Sequence, residues 1–366
     1  MLLFLRKFRY LDLPLLLAAF LLSLSGLALL YSTSVSSENL GVFWRQILFV
    51  GFGWLGFFFF SFFDYRTLSR GTRFLYLFSV LALLYVLVFG GQIRGGQRWI
   101  TLGFFNFQPA EFVKVVVILG LARILYLQRG QINSWKSIFS SLLYALLPAG
   151  LVLLEPDFGS AAVILGIWLC MVLISPIKKR FVAGLLAMLC ALTFFSWHFL
   201  LKDFQKDRIR VFLNPARDLR GQGYNVRQAV VAVGSGGLWG KGLGQGSQSQ
   251  NRFLPERQTD FIFAASAEQI GILGTSVILG LFLLLQIRLV YIIQKARDDL
   301  GVFLASGVLF LSLIHTLVNI GMNIGLLPVT GIPLPFLSAG GSFFIMLMIA
   351  LGLAQNVSMQ SKALRF

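Results

Sequence analysis

Charge, cysteine and histidine are all scarce in this sequence. Only 12% of its 366 residues are charged, two are cysteine and two are histidine. A soluble domain carries roughly 25% charged residues, so an ordinary water-soluble globule is not expected. Cys170 and Cys190 both fall inside apolar segments, which argues against a disulfide framework or a thiolate metal site. With only His198 and His315 to add, a protein-only zinc cage lacks ligands. Acids are few as well, 14 against 31 Lys and Arg, for a net charge of +17. That excess fits a membrane surface or an anionic substrate and not nucleic acid, because no soluble basic domain accompanies it.

Long apolar runs are what the sequence has in quantity. It is 57% hydrophobic, with a mean hydropathy of +0.82. Apolar segments lie at about 14–33, 43–63, 74–90, 109–128, 138–154, 159–176, 181–201, 261–292, 301–324 and 341–359. Runs of about 18 or more such residues between short polar joints predict an all-α polytopic membrane protein of about ten transmembrane helices. Strands are not expected, since open edges cannot be satisfied in lipid and no barrel-type alternation occurs. The first run follows Arg6, Lys7 and Arg9 without a small-residue cleavage pattern, so it reads as a retained span. The whole chain, 1–366, is read as one transmembrane domain.

Basic residues give the orientation. The amino terminus has three, the second joint has Arg66, Arg70 and Arg73, and the sixth has Lys178, Lys179 and Arg180. The eighth has Arg288, Lys295 and Arg297, whereas the first, fifth and ninth joints have none. The bias places both termini in the cytoplasm and joints three, five, seven and nine outside. The seventh, 202–260, is read as one large extracytoplasmic loop. Most of the unusual polar sequence then falls outside: "GGQIRGGQRWITLGFFNFQPAEFVK", "EPDFG", the long loop and "LPVTGIPLPFLSAGGS".

Individual polar residues allow a plain and a functional reading. Asp12, Asp64, Asp298 and Asp299 belong to cytoplasmic ends and are read as solvated. Glu111 and Lys114 stand three apart on one helical face, either as a structural pair or lining a polar cavity. Asp157 follows Pro156 and suits a helix cap. Thr259 and Asp260, in "LPERQTDFIF", open a long apolar run, where an acid serves as a cap or as a catalytic group. Trp99 suits an interfacial anchor beside Arg98. His198 and His315 are read as packed inside the bundle. "GSGGLWGKGLGQGSQSQ" has seven glycines and Lys241, fitting a pyrophosphate wrap or a flexible lid, but lacks the Walker pattern.

Taken together, "RWI" with "FQPAEFVK", "EPDFGSA", "GSGGLWGKGLGQG", "LPERQTDFIFA" and "NIGLLPVTGIPLPFLSAGGS" resemble the SEDS family (shape, elongation, division and sporulation). The likeness runs through nearly the whole chain and is closer to the RodA branch than to the FtsW branch. There are departures: Ser338-Ala339-Gly340 lacks the family's tyrosine, Ala110 replaces a serine, and Gln269 replaces a second glutamate. The resemblance implies a glycosyltransferase of the bacterial cytoplasmic membrane that polymerises lipid II on its outer face. The nascent undecaprenyl-pyrophosphate-linked glycan is the implied donor, and a class B penicillin-binding transpeptidase is the implied partner, with membrane lipids around both. It makes Asp260 the base on the acceptor hydroxyl. Arg98, Lys114, Lys241 and Arg257 become candidates for stabilising pyrophosphate. Trp99, Glu111 and Asp157 line the cavity, and Ser338 joins the substrate-binding or cavity set. No cofactor is expected to be permanently bound, and a divalent cation such as Mg or Mn would share the work on pyrophosphate. A lipid II flippase is the rival reading, and a scaffold for the transpeptidase a third.

Overall fold

The computed structural model describes residues 9–35, 40–93, 96–103, 105–129, 133–195, 198, 203–214, 218, 221–250, 253–254 and 256–362. Each of the ten apolar segments forms a helix. These are α1 (Leu13–Val35), α2 (Gly41–Phe62), α4 (Thr72–Phe89), α5 (Pro109–Leu127), α6 (Trp135–Leu154), α7 (Phe158–Ile174), α8 (Lys179–Phe195), α12 (Ile262–Lys295), α13 (Asp299–Asn323) and α14 (Gly341–Lys362). A short α3 (Tyr65–Arg70) lies between the second and third segments. Among the described residues, seven of the ten are long and apolar enough to cross a membrane. Of the other three, α7 has 17 residues, α5 carries Glu111, Lys114 and Arg123, and α8 is described over 17 residues.

The bundle is built around α13 and α14. In their most apolar windows 67% and 83% of residues are buried, against 17% in α2 and 22% in α4. Helix α14 packs on α2, and α13 packs on α12, α5 and α7. Peripheral helices keep large apolar side chains on the outside, such as Phe52, Leu55 and Phe59 of α2 and Phe74 of α4, as expected where lipid replaces water.

Several expectations from the sequence change. The fold is not wholly helical: the third joint forms an antiparallel meander of β1 (Gly91–Ile93), β2 (Gly96–Leu102) and β3 (Phe105–Phe107). Ile93 pairs with Gly96, and Leu102 pairs with Phe105. The segment 202–260 has regular structure of its own. Among its described residues it contains α9 (Asp203–Leu213), α10 (Gln222–Ser235) and α11 (Ser247–Gln250), and α10 packs against α12.

Helix α12 spans 34 residues, and its backbone breaks at Gly271 (φ 66°, ψ −170°). Freed helical groups at membrane depth must find partners, and the glycine-rich segment supplies them. Lys241 N–H donates to Glu268 O (3.0 Å), Gly242 N–H to Gln269 O (3.0 Å), Ile272 N–H to Gly237 O (2.9 Å) and Leu273 N–H to Leu238 O (3.1 Å). The two chains approach so closely that a Cβ on Gly271 would sit 2.3 Å from Gly240 N. The glycines therefore serve a backbone stitch.

The acids at the opposite end are not simply solvated. Asp12 is fully buried. It caps α1 through Leu15 N–H (3.2 Å) and accepts two hydrogen bonds from Arg288 (3.0 and 2.6 Å). Lys362 lies 3.7 Å away, so one carboxylate ties α1, α12 and α14 together. Asp298 accepts from Tyr65 Oη and Arg66 Nε, Asp299 pairs with Arg129, and Asp64 caps α3.

Candidate active site

The four joints read as sharing one side meet at one cavity of about 300 Å³. Strand β2 contributes Arg98 and Trp99, and the start of α5 contributes Gln108 and Glu111. The α6–α7 turn adds Pro156, Asp157, Phe158 and Ser160, and the residues before α12 add Thr259 and Asp260. The proline-rich ninth joint and the start of α14 close it with Thr330, Gly331, Pro333, Ala339, Gly340, Ser342 and Phe343.

Asp260 is held by its backbone. Its carbonyl accepts from Asn319 Nδ2 (3.1 Å) and from Asn323 Nδ2 (2.9 Å). Capping falls to other groups: the N-cap of α12 is Phe261, without a side-chain cap bond, and Ala264 N–H donates to Asn323 Oδ1 (3.0 Å). The preceding residue is fixed by Ser338, whose hydroxyl donates to Thr259 O (2.6 Å) and accepts from Leu334 N–H (2.8 Å). Ser338 thus supports the site from behind and is not among the cavity-lining residues.

Across the cavity, Arg98 Nε donates to Glu155 O (2.9 Å) and Nη2 to Pro156 O. Its Nη1 lies 4.0 Å from Asp157 Oδ2. Asp157 both caps and lines: Oδ1 accepts from Ser160 N–H (3.1 Å), and Oδ2 from Gln108 Nε2 (3.1 Å). This turn presses on the ninth joint, since a Cβ on Gly159 would lie 2.7 Å from Thr330 O. Glu155 is 1% exposed, with no hydrogen bond to either carboxylate oxygen. Burial first, then the neighbouring Asp157 charge, push its carboxyl up to about 8, with Arg98 pulling the other way.

Glu111 lines the cavity, and Lys114 lies directly behind it. Lys114 Nζ is 2.9 and 3.0 Å from the two carboxylate oxygens, and both residues are buried. Lys241 and Arg257 are not among the lining residues. Lys241 Nζ meets Glu268 Oε1 at 2.8 Å, and Glu268 also accepts from the N–H groups of Gln248 and Ser249. Arg257 turns towards α1, with Nη2 3.5 Å from Thr33 O. Sequence reading passes over Asn319 and Asn323 and treats His315 as packing. The available signal was their spacing, three polar residues at four-residue intervals along one apolar helix.

The site is defined by a helical, membrane-type bundle with a polar cavity at one end, lined by three carboxylates and an arginine. The chain belongs to the FtsW/RodA/SpoVE family of cell cycle proteins, whose model matches residues 12–363. It is 35% identical over 345 residues to the peptidoglycan glycosyltransferase MrdB of Escherichia coli (strain K12), covering 94% of this chain and 93% of that protein. A solved chain from a peptidoglycan synthase complex that coordinates polymerization and crosslinking superposes with a TM-score of 0.81 at 30% identity, covering 95% of this chain and 97% of that one. The rod shape determining protein RodA of Thermus thermophilus gives 0.70 at 28%, covering 95% and 96%.

Proposed function

We infer that this chain is a peptidoglycan glycosyltransferase that polymerises lipid II at the outer face of the bacterial cytoplasmic membrane. The observation that carries the reading is the meeting of the four polar joints around Asp260, Glu111, Asp157 and Arg98, in a chain similar over nearly its full length to MrdB. Ten spans with both termini cytoplasmic fit this arrangement, because they put every lining joint on the outside.

Forming a β-linkage from an α-linked pyrophosphate inverts the anomeric carbon, so one displacement suffices. The step needs a base on the attacking hydroxyl and positive charge at the departing pyrophosphate. Asp260 is the base we assign: it lines the cavity, and its backbone is fixed while helix capping falls to other groups. Arg98, gripped by two carbonyls and facing Asp157, is placed to meet the pyrophosphate. Lys114 acts through Glu111, while Lys241 ties Ser235, Ser247 and Glu268 together and Arg257 reaches Thr33 O. Among the described residues no three acid, His or Cys side chains gather closely enough to hold a metal alone. A divalent cation would therefore rely on pyrophosphate oxygens together with Asp157 or Asp260. When bound, it would supply further positive charge to the leaving group.

The solved synthase complex that couples polymerization to crosslinking supports a transpeptidase of the penicillin-binding class as partner. The test is polymerisation of labelled lipid II by the purified chain, alone and with that partner. Asp260→Asn should abolish glycan synthesis, with rates falling at least about 100-fold, while unfolding temperature stays unchanged. A fully active Asn variant removes Asp260 from the chemistry. No polymer from the unaltered chain under any condition returns the flippase reading, which requires a polar route through both leaflets.

A further inference from the structure

Three buried polar residues of α13 stand four apart: His315, Asn319 and Asn323 are each 0% exposed. That spacing aligns them on one helical face; the two asparagines converge on Asp260 O, and the histidine reaches the far side of the cavity. Asn323 holds Asp260 O (2.9 Å) and receives Ala264 N–H (3.0 Å). Asn319 divides its amide between Asp260 O (3.1 Å) and Ile332 O (2.9 Å). The two asparagines are themselves joined, Asn323 Nδ2 to Asn319 Oδ1, at 3.2 Å.

His315 extends the same face to the ion pair. Its Nδ1 is 3.1 Å from Pro333 O, and its Nε2 is 3.3 Å from Lys114 Nζ. A carbonyl only accepts, so Nδ1 carries the proton. Nε2 is then the acceptor for the Lys114 ammonium, which also donates to the Glu111 oxygens. The imidazole also stacks on Phe343, 4.3 Å between centroids and 19° between planes, and both Phe343 and Pro333 line the cavity.

We propose that this face of α13 is a positioning device that sets the Asp260 backbone and the Glu111–Lys114 pair in mutual register. None of the three residues lines the cavity, so each acts through a neighbour. The device also links the ninth joint to α12 and α5, so that cavity walls distant in sequence share one rigid support. The proposal rests on the polymerase reading given above.

The experiment uses the full chain in the lipid II polymerisation assay, with kcat, KM and thermal unfolding measured together. Wild type must polymerise and Asp260→Asn must not, which tests the underlying reading separately. Asn319→Ala should lower kcat by about 10- to 100-fold, since small misplacements of a catalytic group carry such penalties. KM should stay within about 2-fold, the signature of an interaction felt mainly in the transition state. His315→Leu should behave alike, whereas His315→Gln, which can still accept from Lys114, should recover to within about 3-fold of wild type. Unchanged kcat in folded Asn319→Ala overturns the proposal, as does Gln performing no better than Leu. Variants that fail to insert or fold also count against it, because α13 would then serve assembly and not the register of the site.

Discussion

Replacing Glu155 by glutamine should stabilise the protein by an amount that grows as pH rises from about 4.5 to about 8. The carboxyl sits at the end of α6, buried and without a hydrogen-bond partner on either oxygen, and its pKa rises from 4.5 to about 8. Below 4.5 the group is protonated in both folded and unfolded chains, so its contribution to stability is fully retained. As pH rises towards about 8 the unfolded chain gives up the proton first, and stability falls across that window. At about 1.4 kcal/mol per pH unit the whole penalty is about 5 kcal/mol. Relaxation and water penetration reduce it to about 2 kcal/mol. Glutamine matches the neutral acid in shape and cannot ionise. Glu155→Gln should therefore raise the unfolding temperature of detergent-solubilised protein by about 3–5 °C at pH 8 and leave it unchanged at pH 4.5. An equal gain at both pH values, or a loss at pH 8, would refute the argument that an uncompensated carboxyl is held neutral there.

Two other substitutions probe the frame. Gly271→Ala places a Cβ 2.3 Å from Gly240 N and 2.6 Å from Leu238 O at a positive φ, so it should destabilise by about 3 kcal/mol or more, read as a lower unfolding temperature and reduced yield. Asp12→Ala removes the carboxylate shared by Arg288 and Lys362. It should cost about 2 kcal/mol, below the value for fully buried pairs because both cations are partly exposed, and thermal unfolding would show no change if the pairing were idle.

The helices were legible because a continuous apolar run has few alternatives in lipid. Glu111 and Lys114 were legible as a pair from their three-residue spacing alone. Asp260, Arg98, Trp99, Glu111 and Asp157 do line one cavity, and family motifs marked all five. Other features depend on contacts between distant segments. Lys241 looks available for an anion in isolation, yet Glu268, 27 residues later, takes its charge. That meeting depends on the break at Gly271, and a lone glycine in a helical pattern signals no such event. The β1–β3 meander was hidden by its brevity and its glycines, which weaken any strand pattern. The helices within 202–260 are short and more polar, so they lack the run length that identified the others.

The stitched break in α12 also has a mechanical meaning. Ile272, Val277, Leu283 and Ile287 beyond it are exposed, whereas Ile262 to Gln269 before it are buried. Bilayers of different thickness tilt the helices that span them. In an unbroken helix, Asp260 would ride on a lever of about 16 Å beyond Gly271. A tilt of about 10° would then swing the acid by about 3 Å, far outside the roughly 0.5 Å that a catalytic constellation tolerates. The four backbone hydrogen bonds from the glycine-rich segment act as a fixed bearing at the pivot. A change of tilt in the lipid-facing half should then leave Asp260 in its place in the cavity.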